Sequence, residues 1–197
     1  MHPDLEIRRV TLANLRAEQA ADDFRPILRG TAIVFNSLSL DLGGFVEIIR
    51  PRAITRTIDE KIDLRALVDH DTGKVIGRLS AGTLKVKADE AGLHIEIVPP
   101  NTSVGRDIVE SVRRGDIDEM SFAFRVLDQA WNFEADPVLR EVLDMRVSEV
   151  SVVAWGAFPA TEVDVARRSF EAAKQRHGRL SLPALRAQLD AKLAGWK

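Results

Sequence analysis

Three segments each set one chemically capable side chain in or beside a short apolar run: LVDHDTGKVIGR around His70, GDIDEMSFAF around Ser121 and VSEVSVVAW around Glu149. An imidazole, a hydroxyl and a carboxylate are the parts of an activated serine nucleophile. The imidazole takes the hydroxyl proton and the carboxylate steadies the imidazole. Residue types alone do not make such a set. An ordinary strand serine, a histidine bonded to a backbone carbonyl and a rim glutamate paired with an arginine would read the same way. The chain holds only four histidines, which narrows the choice of base. His2 is terminal, His94 runs in phase with Glu96 on the polar side of a strand, and His177 lies in a polar stretch near the end, which leaves His70. Asp144, Asp118 and Asp71 compete with Glu149 for the acidic role. Strand neighbours point to opposite faces, which counts against Asp71 beside His70.

The elements that must position these groups are mostly strands. Leu5, Ile7 and Val10 suit the start of a strand, and RAEQAADD reads as a turn of helix or a loop. GTAIVFN and FVEII are strand candidates separated by the turn-forming Leu42-Gly43-Gly44. Pro51, followed by Ile54 and Ile58 at helical spacing, predicts a short helix over Arg52 to Glu60. DLRALVDH reads as a strand whose alternation sets Ala66, Val68 and His70 on one face, with a turn at Asp71-Thr72-Gly73. TLKVKADEAGLHIEIV is the clearest hairpin: Leu84 and Val86 alternate with lysines, Asp89 to Gly92 turn, and Leu93, Ile95 and Ile97 alternate with His94 and Glu96. Asn101, Thr102 and Ser103 offer cap chemistry for a helix carrying Ile108 and Val112, and Gly115 suits the left-handed position after it. In MSFAFRVL, Met120, Phe122, Phe124 and Val126 share one face, while Ser121, Ala123 and Arg125 share the other. A polar connector with Trp131 leads to a strand in LREVLDMRV, and VSEVSVVAW forms another, with Glu149 and Ser151 on one face and Val150 and Val152 on the other. After Pro159 the pattern becomes helical through VDVARRSFEAAKQR. Gly178 interrupts it, and a second helix with Leu185, Leu189 and Leu193 follows from Ser181.

Composition bounds the function. A chain of 197 residues fits one domain with an appendage. A net charge of −2 gives no bulk attraction to nucleic acid or an anionic membrane, and no apolar run reaches the length of a membrane span. There is no cysteine, which excludes disulfides, thiolate metal sites and a cysteine nucleophile and suits a reducing cytosol. The first residues contain no apolar h-region, so no secretory signal is expected. No cofactor or metal is called for. No two histidines share ligand spacing, the acidic pairs Asp22-Asp23 and Asp89-Glu90 sit in turn-like stretches, and Gly43-Gly44 lacks the lysine of a phosphate loop.

Taken in order, GTAIVFN, a strand ending in His-Asp followed by a turn and IGR, a hairpin with a GL step, RRGDIDEMSFAF after a helix, and SEVSVVAWGAFPATEV resemble the prohead serine proteases of tailed bacteriophages. That family is itself linked to the herpesvirus capsid maturation protease. The resemblance covers roughly Gly30 to Val165; AWGAFPA is bulkier than the run usual there. It implies a mostly antiparallel β-barrel flanked by a few helices; together with the helical pattern after Pro159, the expectation is an α+β, mostly β fold with the barrel over residues 1–165 and a helical C-terminal tail over 166–197. It implies a serine endopeptidase with His70 as base, Ser121 as nucleophile and Glu149 as the acidic member. Its expected substrates are the scaffold, the scaffolding segment of the major capsid protein and the protease itself. Its expected place is the bacterial host cytoplasm, inside the immature capsid or prohead. The herpesvirus relatives dimerise, so a homodimer is an expectation of the same kind. Arg113 and Arg114 are oxyanion candidates by analogy with an arginine loop in those relatives, although a helix C-terminus explains them equally. The competing expectation is a non-enzymatic capsid assembly or scaffolding protein on the same fold, with the tail as its working part.

Overall fold

The structure, a computed structural model, describes residues 5–11, 13–19, 25–60, 62–154 and 159–180. The chain order is β1 (Glu6–Val10), β2 (Arg16–Gln19), β3 (Pro26–Val34), β4 (Phe45–Ile49), a 3-10 turn (Pro51–Ile54) running into α1 (Thr55–Asp59), β5 (Arg65–Val68), β6 (Asp71–Arg78), β7 (Leu84–Ala88), β8 (Gly92–Ile97), α2 (Ser103–Arg114), β9 (Glu119–Asn132), β10 (Val138–Val153) and α3 (Pro159–Leu180). The fold is mostly β with a few helices.

Two sheets share the core. One has six strands in the order β1-β9-β10-β5-β6, with β4 also beside β10; the other has four in the order β2-β3-β8-β7. Phe122, Phe124, Val147 and Val150 of the first sheet and Leu28, Ile33, Ile95 and Ile97 of the second belong to one buried cluster, joined by Ile108, Val109 and Val112 of α2. The strands do not complete the expected barrel: among the described residues both sheets are open. Nor is the pairing wholly antiparallel, since β10 runs parallel to both β4 and β5. A strand of 16 residues has length enough to pair with β4 along its first half and β5 along its second.

The α2 caps follow the sequence. The Thr102 hydroxyl accepts the Gly105 N–H at 3.2 Å, and Gly115 ends the helix at φ 78°. Several expectations need correction. Arg16–Gln19 is a strand, not a helical turn or loop, because Arg16, Ala17 and Glu18 find ladder partners in Arg29, Leu28 and Ile27 of β3. The connector carrying Trp131 is the far half of β9, and the two segments expected after it are one strand, β10, which absorbs register shifts at Asp144 and between Val147 and Glu149. The α3 helix continues through Gly178 to Leu180, since an isolated glycine weakens a helix without ending it. The expected Ser181 helix and the AWGAFPA wall fall largely or wholly outside the described residues.

Candidate active site

The site is built where β9, β10 and the β5–β6 turn meet. Ser121 of β9 pairs with Ser151 of β10, and Ala123 pairs with Glu149. Alternation therefore sets Ser121, Glu149 and Ser151 on one face, while Phe122, Val150 and Val152 enter the core on the other. The register shift just before Glu149 is what brings the carboxylate opposite Ala123.

His70 arrives by a different route from the one its sequence suggested. The strand stops at Val68, Val68 pairs with Asp71, and Asp69 and His70 form the two-residue turn between them. Their φ values of 50° and 57° are the left-handed pair that such a tight hairpin turn demands. The expected turn at Asp71-Thr72-Gly73 instead opens β6, and His70 is a turn residue rather than the face-mate of Val68. This frees its side chain from strand alternation and lets it lean over β10 toward β9. The turn is fastened to the end of β10: the Asp69 N–H donates to the Val152 carbonyl at 3.0 Å, and the Ala154 N–H donates to Asp69 Oδ1 at 3.0 Å.

In this position the imidazole bridges the other two groups. Its Nε2 lies 2.8 Å from Ser121 Oγ and its Nδ1 lies 2.5 Å from Glu149 Oε1. An ionised carboxylate only accepts, so Nδ1 carries the hydrogen and the Nε2 lone pair faces the hydroxyl. The Glu149 Oε2 accepts the Ser151 hydroxyl at 2.6 Å, and Ser151 Oγ accepts the His70 backbone N–H at 3.2 Å. The Ser121 hydroxyl also lies 3.0 Å from the Arg8 carbonyl of β1, so its one proton has two acceptors. Ser121 has no solvent exposure, while the side chains of His70 and Glu149 retain 17% and 12%. A cleft of about 880 Å³ lies elsewhere, between Pro26, Pro99 and α2.

Two of the three rival acids are engaged elsewhere. Asp71 accepts from the Gly73 N–H and pairs with Lys74, Asp144 pairs with Arg56, and Asp118 is exposed. Arg113 pairs with Glu110, and Arg114 with Asp116. Among the described residues no group of three or more histidines and carboxylates could hold a metal ion, and no helix is long and apolar enough to cross a membrane. The sequence reading missed Ser151 and the Arg8 carbonyl. Ser151 had a signal, since it stands two residues from Glu149 on the same strand face. A backbone carbonyl on a distant strand leaves none.

A family model described as caudovirus prohead serine protease matches residues 12–176. The chain belongs to that family. Membership places it among the proteases of prohead maturation in tailed bacteriophages. A solved structure titled as the bacteriophage T4 capsid assembly protease, gp21, superposes with a TM-score of 0.54 at 8% identity, covering 78% of this chain and 99% of that one. At that identity the likeness is one of fold. No curated protein sequence matches the prohead protease chain.

Proposed function

We propose that this prohead protease is a serine endopeptidase that cleaves the scaffold, or the scaffolding segment of the major capsid protein, and itself, inside the immature capsid. The single observation that carries the reading is one imidazole within hydrogen-bond reach of a serine hydroxyl and a glutamate carboxylate at once. Family membership supports the reaction class.

His70 Nε2 takes the Ser121 proton as Oγ attacks the peptide carbonyl carbon, and the carbonyl electron pair moves onto oxygen. The tetrahedral intermediate collapses as the imidazolium returns that proton to the leaving amine. Water, deprotonated by the same nitrogen, then releases the acyl group. Glu149 keeps Nδ1 protonated and stabilises the imidazolium charge without taking the proton. The Arg8 carbonyl competes with His70 for the Ser121 proton. Ser121 has no solvent exposure, so a peptide reaches its hydroxyl only when neighbouring atoms move aside.

Co-expression with the cognate capsid protein tests the reading. Wild-type protein removes a leader, which N-terminal sequencing of the mature capsid protein locates. Ser121→Ala and His70→Ala each leave that protein full length. Cleavage that persists in both variants rejects the assignment, and shells that require the chain but show no cleavage favour a scaffolding role.

A further inference from the structure

Ser151 occupies the centre of this arrangement, and we propose that it is a positioning residue that locks the base and its orienting carboxylate together. The inference rests on the peptidase reading and extends it by one residue. Ser151 is fully buried and lies across the strand ladder from both Ser121 of β9 and Leu67 of β5. Its hydrogen-bond directions are forced. A backbone N–H can only donate, so Ser151 Oγ accepts from His70 at 3.2 Å. The single hydroxyl hydrogen then goes to Glu149 Oε2 at 2.6 Å, which leaves Oε1 for the imidazole at 2.5 Å.

Both tied groups need such a constraint. His70 and Asp69 sit at positive φ, a region that is unfavourable for a non-glycine residue and persists only where the surroundings over-determine it. The neighbouring Asp69 is bonded to Val152 and Ala154, whereas the backbone N–H of His70 itself is held through the Ser151 hydroxyl. The Glu149 side chain has rotatable bonds of its own, and Oε1 alone would fix one end of the carboxylate. One hydroxyl thus sets where the imidazole starts and which way the carboxylate faces. An alanine at this position would leave a backbone N–H and a carboxylate oxygen unpaired in a buried site, and both would shift to find other partners.

The test uses the full chain as wild type, Ser151→Ala, Ser151→Thr and Ser151→Cys. The first readout is the rate at which a small fluorophosphonate phosphonylates Ser121, Oγ forming a bond to phosphorus as fluoride leaves. The second is the low-field proton resonance of the His70 Nδ1–H bonded to Glu149. Ser151→Ala slows phosphonylation roughly 10- to 100-fold, the loss expected for a misplaced catalytic group, and moves or broadens the resonance. Ser151→Thr keeps the hydroxyl and recovers both readouts. Ser151→Cys preserves near-native volume with only a weak donor, so it reports the same loss if the alanine variant fails to fold. Phosphonylation of the alanine or cysteine variant within about twofold of wild type, or an unmoved resonance, overturns the proposal. If wild type itself resists the reagent, the peptidase reading fails, and the resonance still decides whether Ser151 orders the His70–Glu149 pair.

Discussion

The Glu149 carboxylate has to satisfy two donors on opposite oxygens, the Nδ1–H of His70 and the Ser151 hydroxyl, and this sets how tightly its length is constrained. Aspartate is one methylene shorter and cannot reach both. Glu149→Asp is expected to lower kcat on a capsid-derived peptide by roughly 100-fold with little change in KM, as a misplacement near 1 Å does. Glutamine keeps the length but puts an NH₂ where one oxygen must accept. Glu149→Gln is expected to lose about 10³- to 10⁴-fold, because it meets Nδ1–H or the Ser151 hydroxyl with another donor and disturbs the tautomer. Steady-state kinetics of the two variants decide the matter. Equal, small losses would show that the carboxylate is a bystander. At this scale the sequence was informative, because the rarity of histidine and the interruption of an apolar strand by Glu149 both stood out. The left-handed backbone of His70 was not visible, since a non-glycine residue at positive φ is held there by partners on another strand rather than by its own preference.

Among the elements, β1 is held to the large sheet by buried charge. Glu6 and Arg8 of β1, Glu47 of β4 and Arg140 of β10 are all almost wholly buried. Arg8 donates to Glu47 from two nitrogens at 3.0 and 3.1 Å and to Glu6 at 2.7 Å, while Arg140 donates to Glu6 and Glu47 at 2.8 Å. Arg8 also lies over the Phe124 ring, and Arg140 over the Trp131 ring. The two arginines balance the two glutamates. Removing one carboxylate leaves an uncompensated buried cation, so Glu47→Ala is expected to cost about 3–5 kcal/mol in urea unfolding. A loss below about 1 kcal/mol would mean that water enters and screens the cluster. The sequence concealed this network. Glu6, Arg8, Glu47 and Arg140 look like ordinary polar strand positions, and only the gathering of β1, β4 and β10 into one sheet, with β9 between β1 and β10, brings them together.

For the molecule as a whole, stability is tied to carboxylates held below their usual range. Burial pushes Glu6 upward, but Arg140 and Arg8 outweigh it and the net shift is downward. Asp63 is lowered by hydrogen bonds from Arg78 and Ser80, Asp89 by His94 and the Ala91 and Gly92 N–H groups, and Glu96 by Lys85 and Arg29. These groups are more acidic folded than unfolded, so the unfolded chain binds more protons as pH falls. Their contribution is fully present above the ordinary carboxylate range near pH 4 and is lost progressively as pH falls from there through the lowered folded-state values. Thermal unfolding is expected to keep a nearly constant Tm from about pH 8 to 6 and to lose stability steeply below about pH 4.5. A Tm that held steady to pH 3 would contradict this coupling. The α3 helix joins the same body, with Ala166 and Phe170 packed on Phe45 and against Trp131, Phe133 and Val138, and Ser169 bonded to Gln129.

The sequence by itself determined the local pieces: the β7–β8 hairpin, the capped α2 and the apolar alternation of β9, whereas His70, Ser121 and Glu149 were singled out only by the ordered resemblance to a family. Each local piece was legible because its signal lies within a few neighbouring positions, in strand alternation or cap chemistry. The tertiary structure alone decided that β10 is a single long strand, that it runs parallel to β4 and β5, that the sheets stay open, and that His70 sits on a left-handed turn over Ser151. Those outcomes depend on hydrogen bonds between residues some 80 positions apart, such as the 81 separating His70 from Ser151. Such bonds form only once strands distant along the chain have been brought side by side.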